Sequence, residues 1–250
     1  MKNDNEKRRD VGEILEKITY PGRGIILGVS PDGRSFASVY FITGRSENSR
    51  NRIFCKEEDG TLKTAPFDAE KVRDPSLIIY NAVRTYGMKT IVTNGDQTDT
   101  VYEGLKQGKG FSEALKTRTF EPDAPNFTPR ISGILYAGEE EPRYELSILK
   151  SADGTGTKCN RFFFSYAAVS GEGHFIRTYD DDGSPLPGFS GEPVRVLVPD
   201  TADGFAGAVW NSLHCENKIS VYARYTEIGT GRYVDCLINK HQKENRTGRI

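Results

Sequence analysis

Four polar segments of the sequence carry the residue types that would bind a small ligand rich in anionic and amide groups. They are GRSENSRNR at 44–52, IYNAVR at 79–84, TNGDQTDT at 93–100 and FEPDAPNFTPRI at 120–131. An arginine fork matches the oxygens of an anion such as phosphate, and an asparagine side chain mirrors the donor and acceptor of a carboxamide. These segments are therefore the first candidates for a functional site.

Composition and residue spacing exclude several classes of protein. The 34 Lys and Arg residues are balanced by 35 Asp and Glu, and a net charge of -1 draws the protein neither to nucleic acid nor to an anionic membrane. No apolar segment follows the charged start MKNDNEKRRD, so we predict a cytoplasmic protein without a signal peptide or membrane span. The cysteines form no Cys-x-x-Cys pair and the histidines no i, i+4 pair, and we predict neither a metal nor a redox cofactor.

The elements that must position the polar segments are mostly strands. The runs GIILGV at 24–29 and SFASVYFIT at 35–43 flank the turn residues SPDG and predict a β-hairpin. Further strands are predicted at residues 53–55, 90–93, 131–137, 144–150, 161–169, 174–179, 219–225 and 233–238. The apolar run at 77–83, which follows Asp74 and Pro75, fits either a helix or a buried strand, and the sequence leaves this element open.

Helices are fewer and are grouped along the chain. Thr100 and Glu103 have the spacing of a capping box, which predicts a helix that begins near Thr100, breaks at 108–110 and restarts at Ser112. Another helix is predicted at 202–213, where apolar residues recur at three- and four-residue spacing. Many strands with grouped helices indicate an α+β fold rather than a doubly wound sheet.

The four polar segments resemble the signature segments of the archaeal-type IMP cyclohydrolases, in the same order and with similar gaps. The similarity runs from YPGR at 20–23 to TPR at 128–130. It implies the αββα four-layer sandwich of the N-terminal-nucleophile hydrolases, with two stacked sheets between helices. Tyr20 matches the start of the family, and its phenol is not the Ser, Thr or Cys nucleophile of those hydrolases, so we expect the fold without that nucleophile.

The resemblance also implies an activity and a set of catalytic residues. The reaction is the last step to IMP, in which the carboxamide nitrogen of 5-formamidoimidazole-4-carboxamide ribonucleotide attacks the formyl carbon and water leaves. By position, Arg52 is implied to hold the substrate and stabilise the oxyanion, Tyr80 to donate a hydrogen bond or proton, and Glu121 to move protons from the attacking nitrogen. The assignment of acid and base between Tyr80 and Glu121 is open. Without the resemblance, these residues fit a strand-end charge, a core aromatic and a solvated loop acid.

Eight further residues are predicted to bind the purine nucleotide, and no cofactor is implied. Arg45, Ser46 and Arg130 suit its 5′-phosphate, Asn81 and Asn94 its carboxamide, and Thr98, Asp99 and Thr100 its ribose hydroxyls. Structural alternatives exist for several of them. Any one of Arg45, Ser46 and Arg130 can instead cap a turn. Asn94 with Gly95 can form a tight turn, and Thr100 can serve only as a helix cap.

The sequence predicts a single domain at 19–240, between a charged, disordered-looking extension at 1–18 and a polar tail at 241–250. The segment between Lys150 and Pro193 is longer and more acidic than in the family it resembles. Two other functions fit the same residues: an amide hydrolase of the same fold that uses water activated by Glu121, and a non-catalytic purine-nucleotide binding protein. A homo-oligomer is compatible with both the main and the alternative functions.

Overall fold

Two antiparallel β-sheets form the framework of the protein in the computed structural model, which describes residues 8–72 and 78–241. The first sheet contains β1 (Arg23–Val29), β2 (Ser35–Thr43), β10 (Glu172–Arg177), β11 (Val194–Leu197), β12 (Lys218–Glu227) and β13 (Tyr233–Asn239). The second contains β3 (Ile53–Lys56), β4 (Leu62–Ala65), β5 (Tyr80–Tyr86), β6 (Lys89–Thr93), β7 (Arg130–Tyr136), β8 (Arg143–Ser151) and β9 (Cys159–Ala167). The strand orders are β11-β10-β1-β2-β12-β13 and β3-β4-β5-β6-β7-β8-β9.

The main apolar core lies between the two sheets, and helices cover their outer faces. Side chains of β1 and β2 meet those of β5, β7 and β8 in this core. Helices α1 (Val11–Leu15) and α5 (Ala202–Ser212) pack on the first sheet, while α3 (Gln97–Lys106) and α4 (Phe111–Leu115) pack on the second. The short helix α2 (Glu47–Arg50) follows β2. The α+β class is confirmed, whereas the likeness to N-terminal-nucleophile hydrolases stays a prediction.

Most of the predicted strands are present, and the open element is resolved. The β1–β2 hairpin has a continuous antiparallel register from Arg23 opposite Ile42 to Val29 opposite Phe36. The apolar run left open at 77–83 enters β5 at Tyr80, although the proposed helix start at Asp74 and Pro75 lies outside the described residues. The sequence analysis missed β4 and β11, because four residues are too few to show a clear alternation.

The start of α3 is a correction to the sequence analysis. The helix begins at Gln97 with Asp96 as the capping residue, so Thr100 lies inside it and does not cap it. Tertiary contacts hold Gln97 at the helix start: its amide donates to the Ile131 carbonyl at 3.2 Å, and its Oε1 accepts from Arg130 Nη1 at 2.6 Å. Locally, the Thr98 and Thr93 hydroxyls share a hydrogen bond of 2.7 Å. The predicted restart after the glycine-rich break is confirmed, at Phe111.

Residues 8–18 of the N-terminal extension include the helix α1, which corrects the expectation of disorder for these residues. Val11, Ile14 and Leu15 are buried in the apolar cluster between α1, α5 and the first sheet. The predicted domain boundaries stay predictions, and the tail beyond His241 lies outside the described residues. Among the helices of residues 8–72 and 78–241, none is long and apolar enough to cross a bilayer.

Candidate active site

One buried cluster contains Arg52, Tyr80 and Glu121. These residues come from three separate parts of the second sheet and its loops. Arg52 directly precedes β3, Tyr80 opens β5, and Glu121 lies in the loop between α4 and β7. Each is no more than 5% exposed. Burial lowers the pKa of Arg52, whereas the nearby Tyr80 and Glu121 raise it, so the three groups act on one another electrostatically. The structure therefore brings together the three residues that the family resemblance singles out.

Arg23 is a fourth member of this cluster and was missed by the sequence analysis. It is the first residue of β1, and the period-two alternation of the strand places it on the same face as Ile25 and Leu27, toward the second sheet. Burial opposes the charge of its guanidinium, but Glu121 and Tyr80 raise its pKa above the ordinary arginine value. A charged residue at the head of the apolar run GIILGV was the available signal.

Two buried donor atoms of the cluster have no protein partner. They are the Nε atoms of Arg23 and Arg52, which have no hydrogen-bond partner among the described residues. A buried polar group without a partner costs about 1–3 kcal/mol, and more when it is charged. The cluster is thus suited to a polar ligand that supplies the missing partners.

The Tyr80 hydroxyl is fixed by a second buried phenol. Tyr40, on β2, shares a hydrogen bond of 2.7 Å with Tyr80. Its ring stacks on Phe54 with the ring centroids 5.3 Å apart. Burial, together with Tyr80, raises the pKa of Tyr40 well above its ordinary value, so this phenol stays protonated at neutral pH. Tyr40 therefore positions Tyr80 without adding a charge.

Glu121 is held by a hydrogen-bonded loop. Its backbone N–H donates to the Thr128 carbonyl at 2.9 Å. The Thr128 hydroxyl in turn contacts the Tyr179 hydroxyl at 2.6 Å and the carboxylate of Asp123. Burial raises the pKa of Glu121 above the ordinary glutamate value, although the charges of Arg23 and Arg130 oppose this shift. A carboxyl group with a raised pKa is suited to proton transfer near neutral pH.

Arg130 borders the cluster and is anchored by residues of the segment at 93–100. Its Nη1 donates to Gln97 Oε1 at 2.6 Å and lies 2.8 Å from Asp96. The Asn94 amide donates to the Pro129 carbonyl at 2.9 Å and its side-chain oxygen accepts from the Ile131 N–H at 2.9 Å. Asn94 and Thr98 are fully buried and satisfied internally, so they position Arg130 and the start of α3.

Arg45 and Ser46 follow β2 but differ in their surroundings. The Arg45 guanidinium lies 5.5 Å from the centre of the Tyr20 ring and pairs with Asp182, from the acidic run at 180–182. The Tyr20 ring stacks on the Tyr179 ring, and Tyr179 is close enough to Arg23 to raise its pKa. Arg45 therefore lies on the same side of the molecule as the cluster. Ser46 instead caps α2, since its hydroxyl accepts from the Ser49 N–H at 3.2 Å.

Asn81, Asp99 and Thr100 lie apart from the buried cluster. The Asn81 amide donates to Asp99 at 3.0 Å, and Arg84 donates to the same carboxylate at 2.7 Å. Because side chains alternate along β5, Asn81 faces α3 while the neighbouring Tyr80 faces the other sheet. The structure therefore does not place these three residues with Tyr80, and their predicted roles in nucleotide binding are untested.

Histidine and acidic side chains are dispersed across the protein. Within the described ranges, no three His, Cys, Asp or Glu side chains are grouped so as to hold a metal ion. His174 shares a hydrogen bond of 2.8 Å with the Tyr144 hydroxyl, and the His241 ring stacks on Phe67 at 4.7 Å. These two rings are accounted for by packing.

Sequence comparison decides the family. The family described as IMP cyclohydrolase-like protein matches residues 20–231, which is most of the chain. The chain belongs to the IMP cyclohydrolase-like family. An IMP cyclohydrolase of Methanopyrus kandleri is 30% identical over 182 residues, which cover 68% of this chain and 89% of that relative. The resemblance predicted from the four polar segments is thereby confirmed.

Other family members match a shorter part of the chain. An IMP cyclohydrolase of Methanococcus maripaludis is 34% identical over 120 residues, which are 46% of this chain and 58% of that protein. An IMP cyclohydrolase of Methanocaldococcus jannaschii is 32% identical over 122 residues, with 48% and 58% covered. The chain thus spans less than two thirds of the length of these two relatives.

Proposed function

We propose that this protein is an IMP cyclohydrolase that converts 5-formamidoimidazole-4-carboxamide ribonucleotide to IMP and water. The observation that carries the proposal is the buried cluster of Arg23, Arg52, Tyr80 and Glu121, whose two guanidinium Nε atoms lack partners among the described residues. Family membership supplies the substrate class. We also propose that the protein is cytoplasmic, as its sequence predicts.

Catalysis of this reaction depends mainly on the orientation of the two reacting groups, and it needs no external nucleophile. The carboxamide nitrogen and the formyl carbon belong to one molecule, so holding the formamide toward the carboxamide removes much of the barrier. A carbon–nitrogen bond forms, the nitrogen loses a proton, and the formyl oxygen becomes a hydroxyl. The carbon–oxygen bond then breaks and a second proton leaves with the hydroxyl as water.

The residues of the cluster fit these steps. Arg52, with Arg23 beside it, stabilises the developing negative charge on the formyl oxygen, because guanidinium groups in a buried site require no reorganisation. Tyr80, held by Tyr40, donates a hydrogen bond to the same oxygen. Glu121 takes the proton from the attacking nitrogen and delivers it to the formyl oxygen, which becomes the hydroxyl. The second proton comes from the formamido nitrogen and leaves with the hydroxyl as water, while a carbon–nitrogen double bond forms in the ring.

The nucleotide end of the site is assigned to Arg130 and Arg45, which flank the cluster and match a phosphate. Asn94 and Thr98 support this end by holding Arg130 and α3. Direct contacts from Ser46 and from the Asn81, Asp99 and Thr100 group are the weaker part of the proposal, because their side chains have other partners or face away from Tyr80.

The test is to mix purified protein with the formamido ribonucleotide, without folate or added metal, and to follow the absorbance change on IMP formation. Turnover well above the uncatalysed rate is expected. Tight binding without turnover would instead favour the non-catalytic nucleotide-binding protein. Release of formate in place of ring closure would favour the amide hydrolase that uses water activated by Glu121.

Glu121→Gln is expected to lower kcat by about a hundredfold or more, because removing a general acid or base typically costs 10²–10⁴ in rate. The assay above measures this change, with circular dichroism to verify the fold. The matched control is Glu113→Gln, an exposed glutamate on α4 that should leave the rate unchanged. An unaltered kcat in Glu121→Gln would remove this residue from the mechanism.

A further inference from the structure

A cavity of about 650 Å³ lies at the side of the sandwich where the sheets are open. Its lining comes from β9, an edge strand of the second sheet, from the edge strand β11 of the first sheet and its neighbour β10, and from the loop at 189–193. Its volume is in the range of small-molecule sites. None of Arg23, Arg52, Tyr80 and Glu121 lines this cavity, so it is distinct from the candidate active site.

Arg177, at the end of β10, is a rigid cation on the cavity wall. Its Nη2 donates to Asp180 at 2.9 Å and its Nε to the Tyr179 carbonyl at 3.1 Å. The guanidinium lies 4.8 Å from the centre of the Phe189 ring. Its Nη1 is buried and has no hydrogen-bond partner among the described residues. One donor of a fixed guanidinium is therefore left for a ligand.

Arg9 supplies a second cation to the same cavity. The backbone of Arg9 extends the edge of β11, since the Leu197 N–H donates to the Arg9 carbonyl at 3.0 Å. Its charge is close enough to lower the pKa of Arg177, in addition to the larger effect of burial. Two like charges at short range repel each other unless an anion lies between them.

The remaining walls carry ion-paired groups and an aromatic pair. Glu172 is paired with Arg195 and with Arg8, the latter at 3.1 Å, so its carboxylate is already engaged by protein cations. The Tyr166 ring stacks on His174 with the centroids 3.5 Å apart. Burial lowers the pKa of His174 to about 4, so this ring is neutral at pH 7. Glu192 is the other carboxylate on the lining.

We propose that this cavity binds a small anionic molecule, with Arg177 Nη1 and the Arg9 guanidinium holding its phosphate or carboxylate group. The Tyr166–His174 pair forms a flat, uncharged wall beside that group. The site draws on the segment between Lys150 and Pro193, from which most of its lining residues come. It uses no residue of the proposed cyclohydrolase mechanism.

Isothermal titration calorimetry with inorganic phosphate and with succinate tests the proposal and distinguishes the two anions. Wild-type protein is expected to bind at least one probe saturably. Arg9→Gln and Arg177→Gln are each expected to weaken that binding about tenfold or more, because each removes a charge-assisted hydrogen bond. Arg9 is the safer variant for folding, since its side chain is exposed.

Two control variants locate the bound anion. Arg232→Gln alters an arginine that is 80% exposed and outside the cavity, and Arg45→Gln alters a residue assigned to the phosphate of the nucleotide. Both should keep the wild-type affinity of the cavity. Absence of binding to either probe, or binding that Arg9→Gln and Arg177→Gln leave intact, would overturn the proposal. Failure of the cyclisation assay would leave this test unaffected.

Discussion

In single residues of the buried cluster, burial and neighbouring charges have opposing effects on the protonation of the side chain. Burial favours the neutral form of Glu121, while the guanidinium groups of Arg23 and Arg130 favour its ionised form. The arginines remain charged in spite of burial, because a guanidinium is not deprotonated in proteins. Tyr80 and Tyr40 contribute hydroxyl groups that share a hydrogen bond, and burial raises the pKa of Tyr40 so that its phenol stays neutral. The cluster thus combines fixed positive charge with one group that can exchange a proton.

Tyr40→Phe is expected to lower kcat about tenfold with little change in KM. The substitution removes the hydrogen bond that orients the Tyr80 hydroxyl, and a buried hydrogen bond contributes about 1 kcal/mol. Steady-state kinetics of IMP formation measure the effect. Tyr144→Phe is the matched control, since Tyr144 is also buried and bonded once, to His174, outside the cluster. Equal losses in both variants would indicate general destabilisation.

The pH profile of the reaction should report the raised pKa of Glu121. As proton acceptor, Glu121 must be ionised, so kcat/KM is expected to rise with pH through an apparent pKa above the ordinary value of 4.5. The rising limb should disappear in Glu121→Gln and persist in Glu113→Gln. A limb that remains at the same pH in Glu121→Gln would assign it to another group.

The raised pKa of Glu121 also makes the free energy of unfolding depend on pH. Whereas kcat/KM rises with pH, stability falls. A carboxyl group whose pKa is raised by folding stabilises the protein fully below its unfolded pKa. This contribution is lost as pH rises through the folded-state pKa. Urea unfolding should therefore show that wild type loses stability relative to Glu121→Gln as the pH is raised above 4.5.

At the scale of elements, α1 and the loop before α3 make more packing and hydrogen-bonding contacts than their sequences indicate. The segment before α1 is charged, yet α1 buries three apolar side chains against α5 and the first sheet. In the loop before α3, Asn94 turns its side chain inward, where it bonds to Pro129 and Ile131. A Cβ at Gly95 would collide with the Arg130 guanidinium, so any larger residue would have to displace that group.

Leu15→Ala is expected to lower the free energy of unfolding by about 2–5 kcal/mol, the usual cost of a large-to-small change in a core. Leu15 is 1% exposed and lies in the cluster that joins α1 to the first sheet. Urea denaturation measures the loss. Glu13→Ala changes an exposed position of the same helix and should alter stability by about 0.5 kcal/mol or less. Similar values for both variants would show that α1 contributes no packing.

At the scale of the whole molecule, the two sheets are joined by an apolar core and by a polar tie, which is the set of buried hydrogen bonds that Arg224 donates. Arg224, on β12 of the first sheet, donates to the Gly60 carbonyl in the β3–β4 turn and to the Thr85 hydroxyl on β5 at 3.3 Å. Its Nε donates to the Tyr222 hydroxyl at 2.8 Å. This single side chain therefore connects elements distant in sequence and belonging to different sheets.

Arg224→Met is expected to destabilise the protein by about 2–4 kcal/mol, because it keeps much of the side-chain volume but leaves the Gly60 carbonyl and the Tyr222 hydroxyl without this partner. Urea denaturation of the variant measures the effect. Arg232→Met, at a position that is 80% exposed, is the control and should be nearly neutral. Equal midpoints would show that the polar tie adds no net stability.

The sequence by itself determined most strands, the grouped helices and the family. Alternation of apolar residues is a local property, and the β1–β2 hairpin, β7 and β8 follow from it. The four polar segments were sufficient for the family because their order and spacing are features of the chain. Short elements such as β4 and β11 escaped, since their ends depend on pairing with neighbouring strands.

Only the tertiary structure decided which polar residues share a site. It brought Arg23 beside Arg52 and Glu121, turned Asn81 toward α3, and enclosed Asn94 and Thr98 as structural residues. A shift of one residue in strand register exchanges the two faces of a strand, and the sequence around Tyr80 and Asn81 does not state which face meets the other sheet. The contacts that settle this come from strands far apart in the chain, and they form only when the two sheets pack.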